Sequence, residues 1–198
     1  MNLARFLFAL LVLLWSQPAL AQVPTWVVSD AGGTAQLHRN GAVQSLKRGL
    51  QLQPGDIVAT GPRGRASLAR GREFIVVSPQ TRLMIPTAAQ QDGGVTQIIQ
   101  QIGRAMFNIQ RRATPHFGVR TPHLATVVRG TVFTVTVDED GCRVAVTEGR
   151  VEVATHDGRA RQFVDPGMQA TAPAHDHSRI IIERVGPGDE KGGGSVDP

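Results

Sequence analysis

The sequence predicts an all-β protein, with short antiparallel hairpins stacked in a solenoid- or roll-like single domain. Three observations carry this. β-Branched residues recur at period two in short runs, the signature of half-buried strands. Turn sequences built on Asp-Gly, Pro-Gly and single glycines separate those runs about every eight to twelve residues. Short phrases also return along the chain. Gly64-Arg65 with Leu68 is echoed by Gly149-Arg150 with Val153, and Gln53-Pro54-Gly55 by Asp165-Pro166-Gly167, as stacked repeats would leave them.

The stretch from Val127 to Val137 shows the alternation most plainly. Phe133, Val135 and Val137 share one face, and Thr134 and Thr136 share the other. Asp138-Glu139-Asp140-Gly141 then turns the chain, and Arg143 to Val146 returns it as a hairpin. Val144 and Val146 are in one phase, while Val151 and Val153 take the opposite phase beyond Glu148-Gly149. A glycine at a phase shift marks a bulge or a tight corner. Asp157-Gly158 makes a further turn, Ala160 to Val164 a short strand, and Asp165-Pro166-Gly167 a turn again.

Upstream, Leu50 and Leu52 precede Pro54-Gly55-Asp56, Ile57 and Val58 follow, and Thr60 to Gly64 turns. Arg65 to Ala69 and Glu73 to Val77 form a hairpin about Arg70-Gly71. Val95, Ile98, Ile99 and Ile102 have the spacing of a helix face, but eight residues between Gly94 and Gly103 make a marginal helix. This segment is expected as a strand ending near Gly103.

The N-terminus has the three parts of a secretory signal. Arg5 precedes an apolar run from Phe6 to Trp15, Pro18 ends it, and Ala19-Leu20-Ala21 offers a small-x-small cleavage site. Ten apolar residues are too few for a hydrocarbon core that needs about 20, so cleavage after Ala21 is favoured over an inner-membrane signal anchor. Lipidation is excluded because Gln22, not cysteine, follows that site. Residues 1–21 are thus a signal peptide, 22–42 a lead-in, 43–172 the β domain, 173–185 a C-terminal strand or loop, and 186–198 a disordered tail. The expected location is periplasmic or secreted, with no transmembrane span after cleavage.

The mature length suits one domain able to bury its own core. Cys142 is the only cysteine, so no internal disulfide forms, and it reads as a small residue opening a strand. Charge is uneven. Between Gln22 and Val137, 13 basic residues face four acids, giving +9, whereas Asp138 to Pro198 is −5. A basic face suggests nucleic acid, but export argues against that partner. So does the aromatic supply, because six rings remain after cleavage and most fall at inward strand positions, leaving few exposed rings for a stacking platform.

The motifs together resemble the FecR-type periplasmic sensor domain. The likeness runs from Val43 to Thr171. It begins with Leu52, Gly55-Asp56, Val58, Thr60-Gly61 and Gly64-Arg65-Ala66 with Leu68, and continues with Val77, Pro79, Thr81, Leu83, Gly103-Arg104 and Phe107. Its densest block is Val119-Arg120-Thr121-Pro122, Ala125, Val127, Arg129-Gly130-Thr131 and Phe133; Glu148-Gly149 with Val151 and Pro166-Gly167-Met168-Gln169 close it. The resemblance implies an all-β fold of stacked short strands. It also implies a role in passing a periplasmic signal from an outer-membrane receptor towards a cytoplasmic sigma factor. Only five residues precede the apolar run, so the cytoplasmic arm of those regulators is not expected here.

No nucleophile, base and orienter fall together, so no enzyme and no cofactor are expected. Gly55, Asp56, Arg129, Gly130, Thr131, Glu148 and Gly149 are the family-motif candidates, with Gly130 read as permitting close backbone approach and Arg129 as pairing to an acid. Arg63, Arg65, Arg70 and Arg72 form a candidate anion-binding face. The weaker constellations read as structure. His175-Asp176-His177 is a solvated loop lacking a third clustered metal ligand, and His116 and His123 are loop residues. Asp138 to Asp140 is a turn rather than a calcium site. Glu148 and Glu152 pair with Arg143 or Arg150 rather than act on a glycoside. The function expected is an exported, non-enzymatic sensing or protein-interaction module of the bacterial envelope with an envelope protein as partner; the alternative is a module binding an anionic envelope polymer.

Overall fold

Period-two alternation translates directly into burial. In β11 (Val132–Asp138) Phe133, Val135 and Val137 are buried while Thr134 and Thr136 face outward. The following β12 (Gly141–Glu148) buries Cys142, Val144 and Val146 in the same way. The two are joined by the turn expected at Asp138 to Gly141. The computed structural model describes residues 25–87, 95–176 and 178–186. The signal segment, Gly93-Gly94, His177 and the tail beyond Gly186 lie outside them.

The spine of the molecule is β8 (Thr96–Asn108), 13 residues long. Its first half pairs with β7 (Arg82–Met84) and β9 (Phe117–Arg120), and its second half with β6 (Glu73–Val77) and β11. The change of partners falls at Gly103, whose φ is +90° and where a Cβ would stand 2.4 Å from the Gln80 carbonyl. Glycine alone accepts both the dihedral and the close approach. The segment is therefore a strand, as expected, but it does not end near Gly103. It bends there and continues to Asn108.

This bend divides the ladder into two layers. The first runs β1 (Val27–Gly32), β5 (Arg65–Arg70), β6, second half of β8, β11, β12, β15 (Met168–Pro173) and β16 (Ile181–Arg184). The second runs β3 (Ala42–Ser45), β2 (Ala35–Arg39), β4 (Ile57–Thr60), β7, first half of β8, β9, β10 (Ala125–Val128), β13 (Val151–Ala154) and β14 (Arg161–Val164). From β9 onward consecutive hairpins alternate between the layers, which is the roll anticipated from the sequence. Together they form a 16-stranded mixed sheet that does not close into a barrel. The inner faces share one core, in which Phe107 on β8 and Phe117 on β9 meet at 6.0 Å and Phe107 stacks on Phe133 at 5.1 Å.

The expected antiparallel hairpins are present, and β8 and β9 add one parallel pair. Folding β8 over at Gly103 returns its last residues to the end where it began, so a short loop sets Phe117 beside Thr96. The Val127 to Val137 run is not one strand. It changes layers at Arg129-Gly130-Thr131, between β10 and β11. The lead-in contributes β1 and β2, paired with β5 and β4, and the segment 173–185 contains β16.

Candidate interaction surface

Four layer-to-layer crossovers stack at one end of the roll: residues 109–116, 129–131, 149–150 and 165–167. Backbone bonds weld the first two. Ile109 and Thr131 exchange N–H···O bonds of 3.0 and 3.1 Å, and the Arg112 N–H donates to the Arg129 carbonyl at 2.7 Å. Gly130 has φ +154°, and a Cβ on it would lie 2.2 Å from Arg111 Cα. A Cβ on Gly149 would lie 2.7 Å from both the Gly130 carbonyl and the Thr131 methyl. The motifs Arg129-Gly130-Thr131 and Glu148-Gly149, 19 residues apart in sequence, are thus one joint where three chain segments touch.

Beneath this joint lies a buried charge cluster. The Glu73 side chain is 2% exposed and accepts from Arg70 Nε at 3.0 Å and Nη2 at 2.8 Å. On its other oxygen it takes the His116 Nε2 contact at 3.0 Å, with Arg112 more distant at 3.7 Å. The Arg70 guanidinium also lies over Trp26, 4.6 Å from the ring centroid. Burial alone would push the Glu73 carboxyl up; the Arg70 bonds and then the His116 contact outweigh it and hold the group below the ordinary glutamate value. No sequence motif marks this cluster, but strand phase does. Glu73 shares the inward phase of Ile75 and Val77, and Arg70 that of Ala66 and Leu68.

The four arginines expected as one face do not form one. Arg65 and Arg70 begin and end β5, so Arg63 and Arg65 sit at the opposite end of the roll from Arg70 and Arg72. Arg65 lies 4.0 Å from Asp30, with both side chains mostly exposed. Arg70 belongs to the interior, bound to Glu73 and Trp26, rather than to a hairpin tip open to anions.

Asp56 is an anchor. Its side chain is 2% exposed and receives the Arg39 guanidinium on both oxygens and the Gln53 N–H at 2.7 Å, closing the Gly55-Asp56 turn and tying β2 to it. Arg129 makes no ion pair with a described residue, contrary to expectation, and serves the joint through its carbonyl. Glu148 is exposed, and Glu152 pairs with Arg161, whereas Arg143 and Arg150 take Asp138 and Asp165. The two glutamates stand on strands of different layers; Glu152 takes a different arginine from those expected, and Glu148 makes no ion pair with a described residue. His116 is not a loop bystander but part of the Glu73 cluster. His175 and Asp176 line a polar recess with Pro122, His156, Asp157 and Ser178. Asp176 is held low by the Ser178 hydroxyl and N–H, so it serves its own turn. Among the described residues no group of three or more His, Cys, Asp or Glu side chains is placed to hold a metal.

A family model described as FecR protein matches residues 56–152. The chain carries a FecR domain. The matched stretch begins at the Asp56 anchor and ends just past the Gly130–Gly149 joint, so the FecR motif residues coincide with the corners of the roll. Two crystal structures of a candidate anti-sigma factor from Parabacteroides distasonis, at 1.65 and 2.50 Å, share the fold, with TM-scores of 0.55 and 0.54 and 20% identity. Each alignment covers 65% of this chain and 59% of the other, so this chain spans about three-fifths of the length of those proteins. No curated protein matches the chain. FecR-type domains are sensing or regulatory modules, and no helix among the described residues is long and apolar enough to cross a membrane.

Proposed function

We propose that the chain is an exported, non-enzymatic sensing module of the bacterial envelope that recognises a partner protein through an open sheet edge. The FecR domain supports the class of function. The edge strand β14 carries the specific reading. Phe163 on it is 58% exposed, with the Arg150 guanidinium 5.9 Å from its ring centroid. The β1 edge of the first layer is protected: Val28 donates to the Leu50 carbonyl and accepts from Gly49, so residues 49–52 strap its outer side. No backbone bond among the described residues caps β14 in this way. An uncapped edge bearing an exposed ring is the geometry that accepts a further strand from another protein.

A photo-crosslinking residue at position 163 in intact cells tests this. A defined protein should be captured there and not from position 147, on the outer sheet face, and Phe163→Asp should abolish the interaction in solution. Capture of no protein at 163, or equal capture at both positions, sinks the edge-recognition reading. Recovery of the cell-associated chain with Met1 as its first residue would sink the export reading. Arg63, Arg65, Arg70 and Arg72 do not form one docking face for an anionic polymer, because they divide between two ends.

A further inference from the structure

The arginines that the fold does gather are a different set. Adjacent strand ends of β6, β8 and β11 bring Arg72, Arg111, Arg112 and Arg129 to the crossover end. Phe74 pairs with Asn108, Asn108 with Val132, and Arg112 with Arg129 just beyond. At about 4.8 Å per neighbouring strand, the four positions fall within about 15 Å. Arg72, Arg111 and Arg129 are exposed and have no carboxylate within ion-pair distance among the described residues. Arg112 is 55% exposed and touches Glu73 only at 3.7 Å. Glu73, the carboxylate that Arg112 approaches, is buried and already engaged by Arg70 and His116. Glu148, opposite Val132 on β12, is an exposed acid at the same end, and Arg150 and Asp165 pair with one another there.

Folding does not require this concentration of charge. The joint is made by backbone bonds and glycine contacts, and like charges brought together by it repel. The arginines stand on successive strand tips as a row, not as walls of a converging pocket, which suits an extended anionic surface. At the margin Phe74 is 37% exposed, one residue from Glu73, and offers an apolar ring beside the guanidinium row. A basic row with a flanking aromatic ring is the pattern of peripheral attachment to anionic lipid. Guanidinium forks also match phosphate oxygens in pairs.

We propose that the crossover end, through Arg72, Arg111, Arg112 and Arg129 with Phe74 at its edge, docks the protein on an anionic phospholipid surface. Such attachment orients the roll with its crossovers on the membrane.

Vesicle co-sedimentation of the purified exported chain tests this. Phosphatidylcholine vesicles carrying a one-third share of phosphatidylglycerol should bind it, and phosphatidylcholine alone should not. Binding should weaken as salt rises. Arg111→Ala with Arg129→Ala should lower partitioning about 25-fold, at about fivefold per arginine. The charge-retaining Arg111→Lys with Arg129→Lys should preserve it, which separates loss of charge from loss of fold. Arg63→Ala with Arg65→Ala, at the other end, should change nothing. Equal binding to both vesicle types, or equal losses at the two ends, overturns the proposal. So does complete displacement by free glycerol phosphate, which would indicate a phosphate pocket, or binding to polyglutamate without binding to vesicles, which would indicate an acidic protein. None of these results bears on crosslinking at Phe163, so the two readings fail separately.

Discussion

Replacing Glu73 by glutamine keeps the shape of the side chain and removes its charge, leaving the buried Arg70 guanidinium, 10% exposed, and the His116 ring without their anion. Removing one member of a buried ion pair costs about 3–5 kcal/mol, because the remaining charge is neither solvated nor paired. Glutamine still offers one oxygen to Arg70, and the Trp26 face retains about 1–2 kcal/mol of cation–π attraction. The expected loss therefore sits near the lower limit, about 3 kcal/mol, or about 6–12 °C in Tm for a domain of this size. Urea titration with an unchanged m-value measures it. Because the folded carboxyl lies below its unfolded value, its stabilisation is present above the unfolded value and is lost as pH falls through the folded one. Wild type and Glu73→Gln should thus differ at neutral pH and converge in acid. Arg65→Ala, which breaks an exposed pair, should be indistinguishable from wild type. A Glu73→Gln loss under about 1 kcal/mol, or one that persists unchanged in acid, would refute the claim that this carboxylate neutralises the interior of the crossover end.

Gly103→Ala should cost about 2–5 kcal/mol by denaturant titration, combining a φ of +90° with a Cβ placed 2.4 Å from the Gln80 carbonyl and the Thr81 hydroxyl. Gly41→Ala, at φ +79° with nothing within 4 Å, isolates the conformational part at about 1–2 kcal/mol, and equal losses at the two sites would rule out crowding at the bend. Cys142 is 1% exposed and burial pushes its thiol up to about 11, so about a hundredfold less thiolate is available than in the unfolded chain. Iodoacetamide at mildly alkaline pH should leave it unmodified until urea is added; comparable rates in the two states would contradict its burial.

The features legible in the sequence are those that short-range chemistry decides. Alternation at period two placed Phe133, Val135 and Val137 inside, and Asp-Gly and Pro-Gly turns placed the hairpins, because strand phase and turn dihedrals depend on neighbours a few residues away. The glycine-marked motifs were legible as corners for the same reason. What those corners touch was not. Gly130 and Gly149 meet only because successive hairpins alternate between layers, and β8 serves both layers only because it bends at Gly103. Tertiary structure likewise decided the charges. Arg63, Arg65, Arg70 and Arg72 are close in sequence, but the length of β5 separates them. Glu73 and His116 are 43 residues apart and meet at 3.0 Å. Strand phase predicts that a side chain points inward; which distant side chain waits there depends on the stacking of the whole roll.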